Sequence, residues 1–289
     1  MTQFTMEPDE SHLMPFRTSG ERPPLYCFPG AGGNGGVFRG MAAAMREDQP
    51  VYGIDMDKLY EARSNFKIEE LAEFYLQVIR ANRRHGPYNL CGYSFGGIVA
   101  YEIARLLVNE GEDVGLLAML DAPNPAMLAG LPAAASAQFR NVYLTDRLRK
   151  YGRNLLAGNI GTVVSDAAAF VIPRMTGFAW PVIRAVFRVT KRPTPLGLRV
   201  RDPAFLAAWH SYIPKPYPGK LVVFRGDRGP EYDVDLTLGW GSLCTIGGVD
   251  VVIIPGGHVD MMTMPYLGDL VDKLTTYLGG GAARVVSAT

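Results

Sequence analysis

The 289 residues are 48% apolar and 20% charged, with a formal net charge of +1, the composition of a globular protein with ample material for a core. No window approaches about 18 uncharged apolar residues, which argues against a transmembrane helix, and Glu7, Asp9 and Glu10 stand where a signal peptide needs a basic and then an apolar stretch. Cys27, Cys91 and Cys244 are odd in number, unclustered and set among apolar residues; they predict buried, reduced thiols in a cytoplasmic protein, not a disulfide framework or a metal site.

Residues 1–22 are expected to form an N-terminal extension, the first 20 of them mobile. From Pro23 to Pro123 apolar strands alternate with amphipathic helices. "PLYCF" (24–28) is a short buried strand that ends in a Pro-Gly-Ala-Gly-Gly turn, and Val37, Phe38, Met41 and Met45 follow at helical spacing. "VYGI" (51–54) is the next strand, and Ile68, Leu71, Tyr75, Val78 and Ile79 form a helical stripe. "YNLCG" (88–92) leads into a glycine-flanked serine and a helix with Ile98, Tyr101, Ile103, Leu106 and Leu107 on its apolar side. "VGLLAML" (114–120) is another buried strand, ending at Asp121. Such alternation predicts a mostly parallel sheet covered by helices on both faces.

The alternation breaks after Pro123. Residues 126–215 are Ala-rich and helical in periodicity, and the stretch from Met127 to Lys215 carries thirteen Lys or Arg against three Asp. The segment is therefore +10 while the rest of the chain is −9. Strands return at "KLVVF" (220–224) and "VDVVIIP" (249–255), a helix spans about 266–278, and residues 281–289 form a tail. One α/β domain over 23–280 with a helical insertion is the predicted organisation.

A serine hydroxyl is a weak nucleophile that needs a base and an open approach. Gly92-Tyr93-Ser94-Phe95-Gly96 supplies the approach: a tight strand-to-helix turn lifts Ser94 clear of the backbone, and glycines on either side relieve the crowding. The N-terminus of the following helix offers an unpaired backbone N–H to a developing oxyanion. Of the four histidines, His258 in "PGGHVDMM" follows the last strand, where a base is expected; His12, His85 and His210 lie in the extension, a helix end and the insertion. Two acids are candidates: Asp121, which ends strand 114–120, and Asp227, which follows strand 220–224. The repeated glycines of the "CFPGAGGNGG" loop let further backbone N–H groups face a substrate oxygen. It lacks the G-x-G-x-x-G and Gly-Lys-Ser/Thr patterns of phosphate loops, and no metal-ligand spacing occurs anywhere.

"PLYCFPGAGG", "GYSFGGIVAYEIARLL", "LLAMLDAPNP", "YPGKLVVFR", "LGW" and "IIPGGHVDMM" together resemble the thioesterase domains of nonribosomal peptide synthetases and polyketide synthases, in order from about Pro23 to Leu278. The resemblance implies an α/β-hydrolase fold and release, by hydrolysis or cyclisation, of an acyl or peptidyl chain from a phosphopantetheine thioester on a carrier protein. A stand-alone editing enzyme is the alternative role. It implies Ser94, Asp121 and His258 as catalytic residues, the N–H groups of Ala31 and Phe95 as oxyanion donors, and the insertion as a lid over the acyl chamber. No cofactor of the protein's own is implied. The basic insertion reads either as an ordinary solvated face or as a dock for an acidic carrier. Nucleic-acid binding is not expected, because the charge is not interleaved with stacking aromatics; an interfacial helix around Val182–Arg192 stays open. The competing readings are a small-molecule esterase or lipase of the same fold and a non-catalytic binding relic. Oligomeric state is not readable.

Overall fold

The computed structural model describes residues 7–31, 33–56, 66–161, 163, 180–190, 203–228 and 235–280. Seven strands build one sheet: β1 (Leu13–Arg17), β2 (Leu25–Phe28), β3 (Val51–Ile54), β4 (Tyr88–Tyr93), β5 (Val114–Leu120), β6 (Leu221–Gly226) and β7 (Val249–Ile254). Their order is β1-β3-β2-β4-β5-β6-β7. Only β1 runs antiparallel, against β3; every other neighbouring pair is parallel. This is the α/β-hydrolase architecture expected from the alternation.

The strands read as unbroken apolar runs because both faces are covered. In β2, Tyr26 and Phe28 join one core while Leu25 and Cys27 join the other; in β5, Leu117 and Met119 face the first, and Leu116, Ala118 and Leu120 the second. The first core is closed by α2 (Ile68–Asn82) and α3 (Phe95–Asn109), the second by α1 (Arg39–Ala44) and α8 (Leu267–Leu278). Helix α2 buries the stripe Ile68, Leu71, Tyr75, Val78 and Ile79, with Glu69 and Glu70 in its first turn, where the helix dipole favours acids. Helix α3 sits so centrally that even Glu102 is buried, satisfied by Arg105 Nε at 3.0 Å and the Tyr212 hydroxyl at 2.9 Å. All three cysteines are free and buried, and burial raises the thiol pKa of Cys27 well above its ordinary value and that of Cys244 to about 12.

One expectation needs correction. The stretch before Pro23 is not structureless: Leu13–Arg17 adds an edge strand, and His12 is buried edge-on against Phe74. The strand escaped notice because it is five residues long and interrupted by Pro15, which an edge tolerates. The 281–289 tail lies outside the described residues.

Between β5 and β6 the chain leaves the sheet and forms α4 (Pro125–Ala129), α5 (Ala133–Leu156), α6 (Trp180–Val189) and α7 (Pro203–Ser211). Of its basic residues, Arg174, Lys191, Arg192, Arg199 and Arg201 fall outside the described residues. Among the described residues no helix is long and apolar enough to cross a membrane.

Candidate active site

The chain lays β2 and β3 on one side and then crosses to start β4 on the other side of β2, so the order of strands reverses between β2 and β4. Ligands of open parallel sheets bind at the carboxyl ends of the strands beside such a reversal. The loop after β2, Ser94 after β4, Asp121 after β5, Asp227 after β6 and His258 after β7 all lie at those ends.

Ser94 has φ 53° and ψ −119°, a conformation side chains rarely adopt. It costs about 1–3 kcal/mol and is held by its surroundings. Its N–H donates to Leu120 O at 3.0 Å, extending the β4–β5 ladder, and its carbonyl accepts from Gly97 N at 3.0 Å. The flanking glycines are needed for contact. A Cβ on Gly92 would fall 2.3 Å from Gly96 O, and one on Gly96 would fall 2.2 Å from Phe28 O. The loop after β2 runs directly over this turn: a Cβ on Gly30 would sit 3.4 Å from Ser94 Cβ. Ala31 follows in the same turn, and Phe95 is the first residue of α3. The two expected oxyanion donors therefore belong to the two segments that meet around Ser94.

Asp121 also has a positive φ, 45°, and its N–H donates to Phe224 O at 2.7 Å. The residues after it are pinned by a distant loop: Trp240 Nε1 donates to Ala122 O at 2.7 Å, and Asn124 Nδ2 to Gly239 O at 2.7 Å. That pinning accounts for the "LGW" block. Asp121 Oδ2 lies 2.8 Å from His258 Nδ1. The rival acid does something else: Asp227 Oδ1 accepts from the backbone N–H of Gly256 at 2.8 Å. The other histidines are elsewhere, His85 exposed beside Glu112 and His210 exposed at the end of α7.

Sequence reasoning passed over two residues that hold the His258 segment, Tyr93 and Asp260. The Tyr93 ring stacks on the imidazole, 5.1 Å between centroids and 27° between planes, and its hydroxyl donates to His258 O at 2.6 Å. Asp260, fully buried, accepts from Gly257 N at 2.6 Å with Oδ1 and from Arg228 Nη2 at 2.8 Å with Oδ2. Burial opposes its ionisation, yet the Gly257 N–H and the guanidinium groups of Arg153 and Arg228 outweigh burial and hold its pKa below the ordinary value. An acid two residues beyond His258 in an otherwise apolar "GGHVDMM" was the available signal.

A serine in a strained strand-to-helix turn, a histidine after the last strand and an aspartate on that histidine's Nδ1 stand where an α/β-hydrolase carries its Ser-His-Asp residues, and make these three the candidate constellation. The chain belongs to the thioesterase domain family, whose model matches residues 23–276. The curated relatives that match part of the chain are nonribosomal peptide synthetases and polyketide synthases. A dimodular nonribosomal peptide synthase of Bacillus subtilis is 40% identical over 114 residues, 39% of this chain, and this chain spans 5% of that relative's length. The thioesterase domain NocB, solved as a covalent complex with a fluorophosphonate nocardicin G analogue, superposes with a TM-score of 0.62 at 20% identity, covering 93% of this chain and 100% of that one. The type II thioesterase BorB from the borrelidin cluster gives a TM-score of 0.61 at 19% identity, covering 93% of this chain and 98% of that one.

Proposed function

We propose that this protein is a serine thioesterase that releases an acyl or peptidyl chain from a phosphopantetheine thioester on a carrier protein. The observation that carries the reading is the Asp121–His258 contact of 2.8 Å beside a serine strained at φ 53°. Ser94 Oγ attacks the thioester carbonyl while His258 takes its proton. The oxyanion rests on the N–H groups of Ala31 and Phe95, preorganised by the β2 loop and the start of α3. The tetrahedral intermediate collapses by breaking the C–S bond, and His258 returns the proton to the leaving thiolate. The resulting acyl-Ser94 ester is opened by water, or by a hydroxyl or amine of the same chain, again deprotonated by His258. Asp121 keeps Nδ1 protonated so that Nε2 can accept.

The insertion acts in this reading as a lid over the acyl chamber, and its basic character suits a carrier of acidic surface. The phosphopantetheine arm belongs to the carrier; the enzyme contributes no cofactor of its own. Both NocB and BorB align over 93% of this chain with nearly equal TM-scores, which keeps chain release and the editing role of a stand-alone enzyme as two uses of one chemistry. The site is tested by labelling with a neutral alkyl fluorophosphonate and mapping the adduct by mass spectrometry. The adduct is expected on Ser94 and absent from Ser94→Ala; labelling of that variant at the wild-type rate overturns the assignment.

A further inference from the structure

Four hydrogen bonds fix the segment that carries His258. Asp227 holds the N–H of Gly256, Asp260 holds that of Gly257, Tyr93 holds the His258 carbonyl and Asp121 contacts the ring. Three of these carboxyl and hydroxyl groups are anchored by the sheet and its loops. Asp260 is different, because its second oxygen is shared. Arg228, from the loop after β6, donates to Oδ2 at 2.8 Å, and Arg153, from insertion helix α5, donates to the same oxygen at 2.6 Å. Both guanidinium groups lie over the Tyr266 ring, at 5.1 and 5.7 Å.

Helix α5 approaches the histidine segment at a second point, two turns earlier on the same face. Asp146 Oδ1 lies 3.5 Å from Arg149 Nη1 and 3.9 Å from Arg228 Nη1. Its carboxylate abuts the backbone before His258 so closely that a Cβ on Gly257 would fall 1.4 Å from Oδ2. Among the described side chains of α5, Asp146 is the only buried one. Leu148, Leu155 and Leu156 of the same helix are exposed. The described part of this helix is thus seated on the catalytic end of the sheet by charge and hydrogen bonds and not by apolar burial. Arg153 is 35% exposed, so salt reaches its side of the pair, although the buried carboxylate of Asp260 limits the screening.

We propose that Arg153 is a positioning residue through which the seating of α5 sets the presentation of His258, so that the insertion controls the reactivity of Ser94. With Arg153 in place, Asp260 is gripped from both sides and the Gly257–His258 peptide is held. With α5 lifted, Arg228 alone still balances the charge of Asp260, so the segment stays folded but is held less tightly. The inference rests on the proposed roles of Ser94 and His258 and adds control of that site by the insertion.

The test follows the second-order rate of Ser94 labelling by the neutral fluorophosphonate, which reports nucleophile and base without a carrier or an acyl chain to bind. Charge-seated α5 predicts that wild-type labelling slows as salt rises from about 0.05 M to 0.5 M, although the reagent itself is uncharged. Arg153→Gln is expected to label about fivefold more slowly at low salt, the lower end of coupling between linked sites, and to lose the salt dependence. Arg153→Lys should recover part of the rate and keep the salt dependence. Circular dichroism and the melting temperature check that both variants are folded. Should Arg153→Gln not fold, the lysine variant decides: a reduced rate with retained salt dependence supports the proposal, and a wild-type rate contradicts it. If Arg153→Gln labels like the wild type at every salt concentration, the proposal is wrong while the site assignment stands. Absence of any Ser94 adduct in the wild type would instead overturn the assignment and the proposal with it.

Discussion

The sheet and the insertion after β5 are built on different physics. Strands β2, β4, β5 and β6 are buried along nearly their whole length, and the two cores they separate hold almost all of the large buried side chains. The insertion presents Leu148, Leu155, Leu156, Val182, Val186 and Val189 to solvent, and α5 reaches the body through Asp146 and Arg153. Close packing makes the first region intolerant of a single added carbon. Among the described side chains α5 is held by polar contacts in place of apolar burial, which would suit the lid proposed above.

The contrast can be broken by substitution. The largest effect is expected at the serine turn: Gly96→Ala places a Cβ against the Phe28 and Pro29 carbonyls, so urea denaturation should show a loss of about 3 kcal/mol or more, or no folded protein. A variant of wild-type stability would mean that the turn is not packed as described. Asp260→Asn should lose about 2 kcal/mol at neutral pH, less than for a fully buried pair because Arg153 and Arg228 are partly exposed. The folded pKa of Asp260 lies below its unfolded value, so its stabilisation is complete above the unfolded value, about 3.9, and vanishes as pH falls through the folded one. The gap between wild type and variant should therefore close in acid; a gap constant down to acid pH would contradict the ion-pair account.

The insertion should respond in the opposite direction or hardly at all. Gly152 lies within α5 with nothing within 4 Å of its Cβ position, so Gly152→Ala should raise stability by about 0.5–1 kcal/mol. A loss of stability would place a neighbour against that face. Leu156→Ala, at a side chain 91% exposed, should change stability by less than about 0.5 kcal/mol; a loss near 2 kcal/mol would show that the helix end packs in solution.

Legibility in the sequence follows the same division. β2 to β7 were readable as local apolar runs, and Ser94 as a motif, because each is encoded within a few consecutive residues. β1 was not, since Pro15 breaks its pattern and only pairing with β3 makes it a strand. Residue pattern alone left Asp121 and Asp227 open as acids, because both end buried strands; the family resemblance favoured Asp121. The grip of Tyr93, Asp227 and Asp260 on the His258 segment was invisible. Two of those contacts span 165 and 29 residues, and the third is a side chain turned back on its own loop. Also invisible was the pairing of Arg153 and Arg149, two of the insertion's basic residues, with Asp260 and Asp146.

The central claim is that His258 is oriented by the acid after β5, while the acid after β6 merely holds the turn before it. Turnover of an N-acetylcysteamine acyl thioester by Asp121→Asn and Asp227→Asn compares the two directly. Asp121→Asn should lose about 10⁴-fold in kcat while staying folded, because the imidazole loses its tautomer. Asp227→Asn, whose side chain can still accept from Gly256 N, should stay within about tenfold of the wild type. A collapse of activity in Asp227→Asn with Asp121→Asn near wild type would contradict the account.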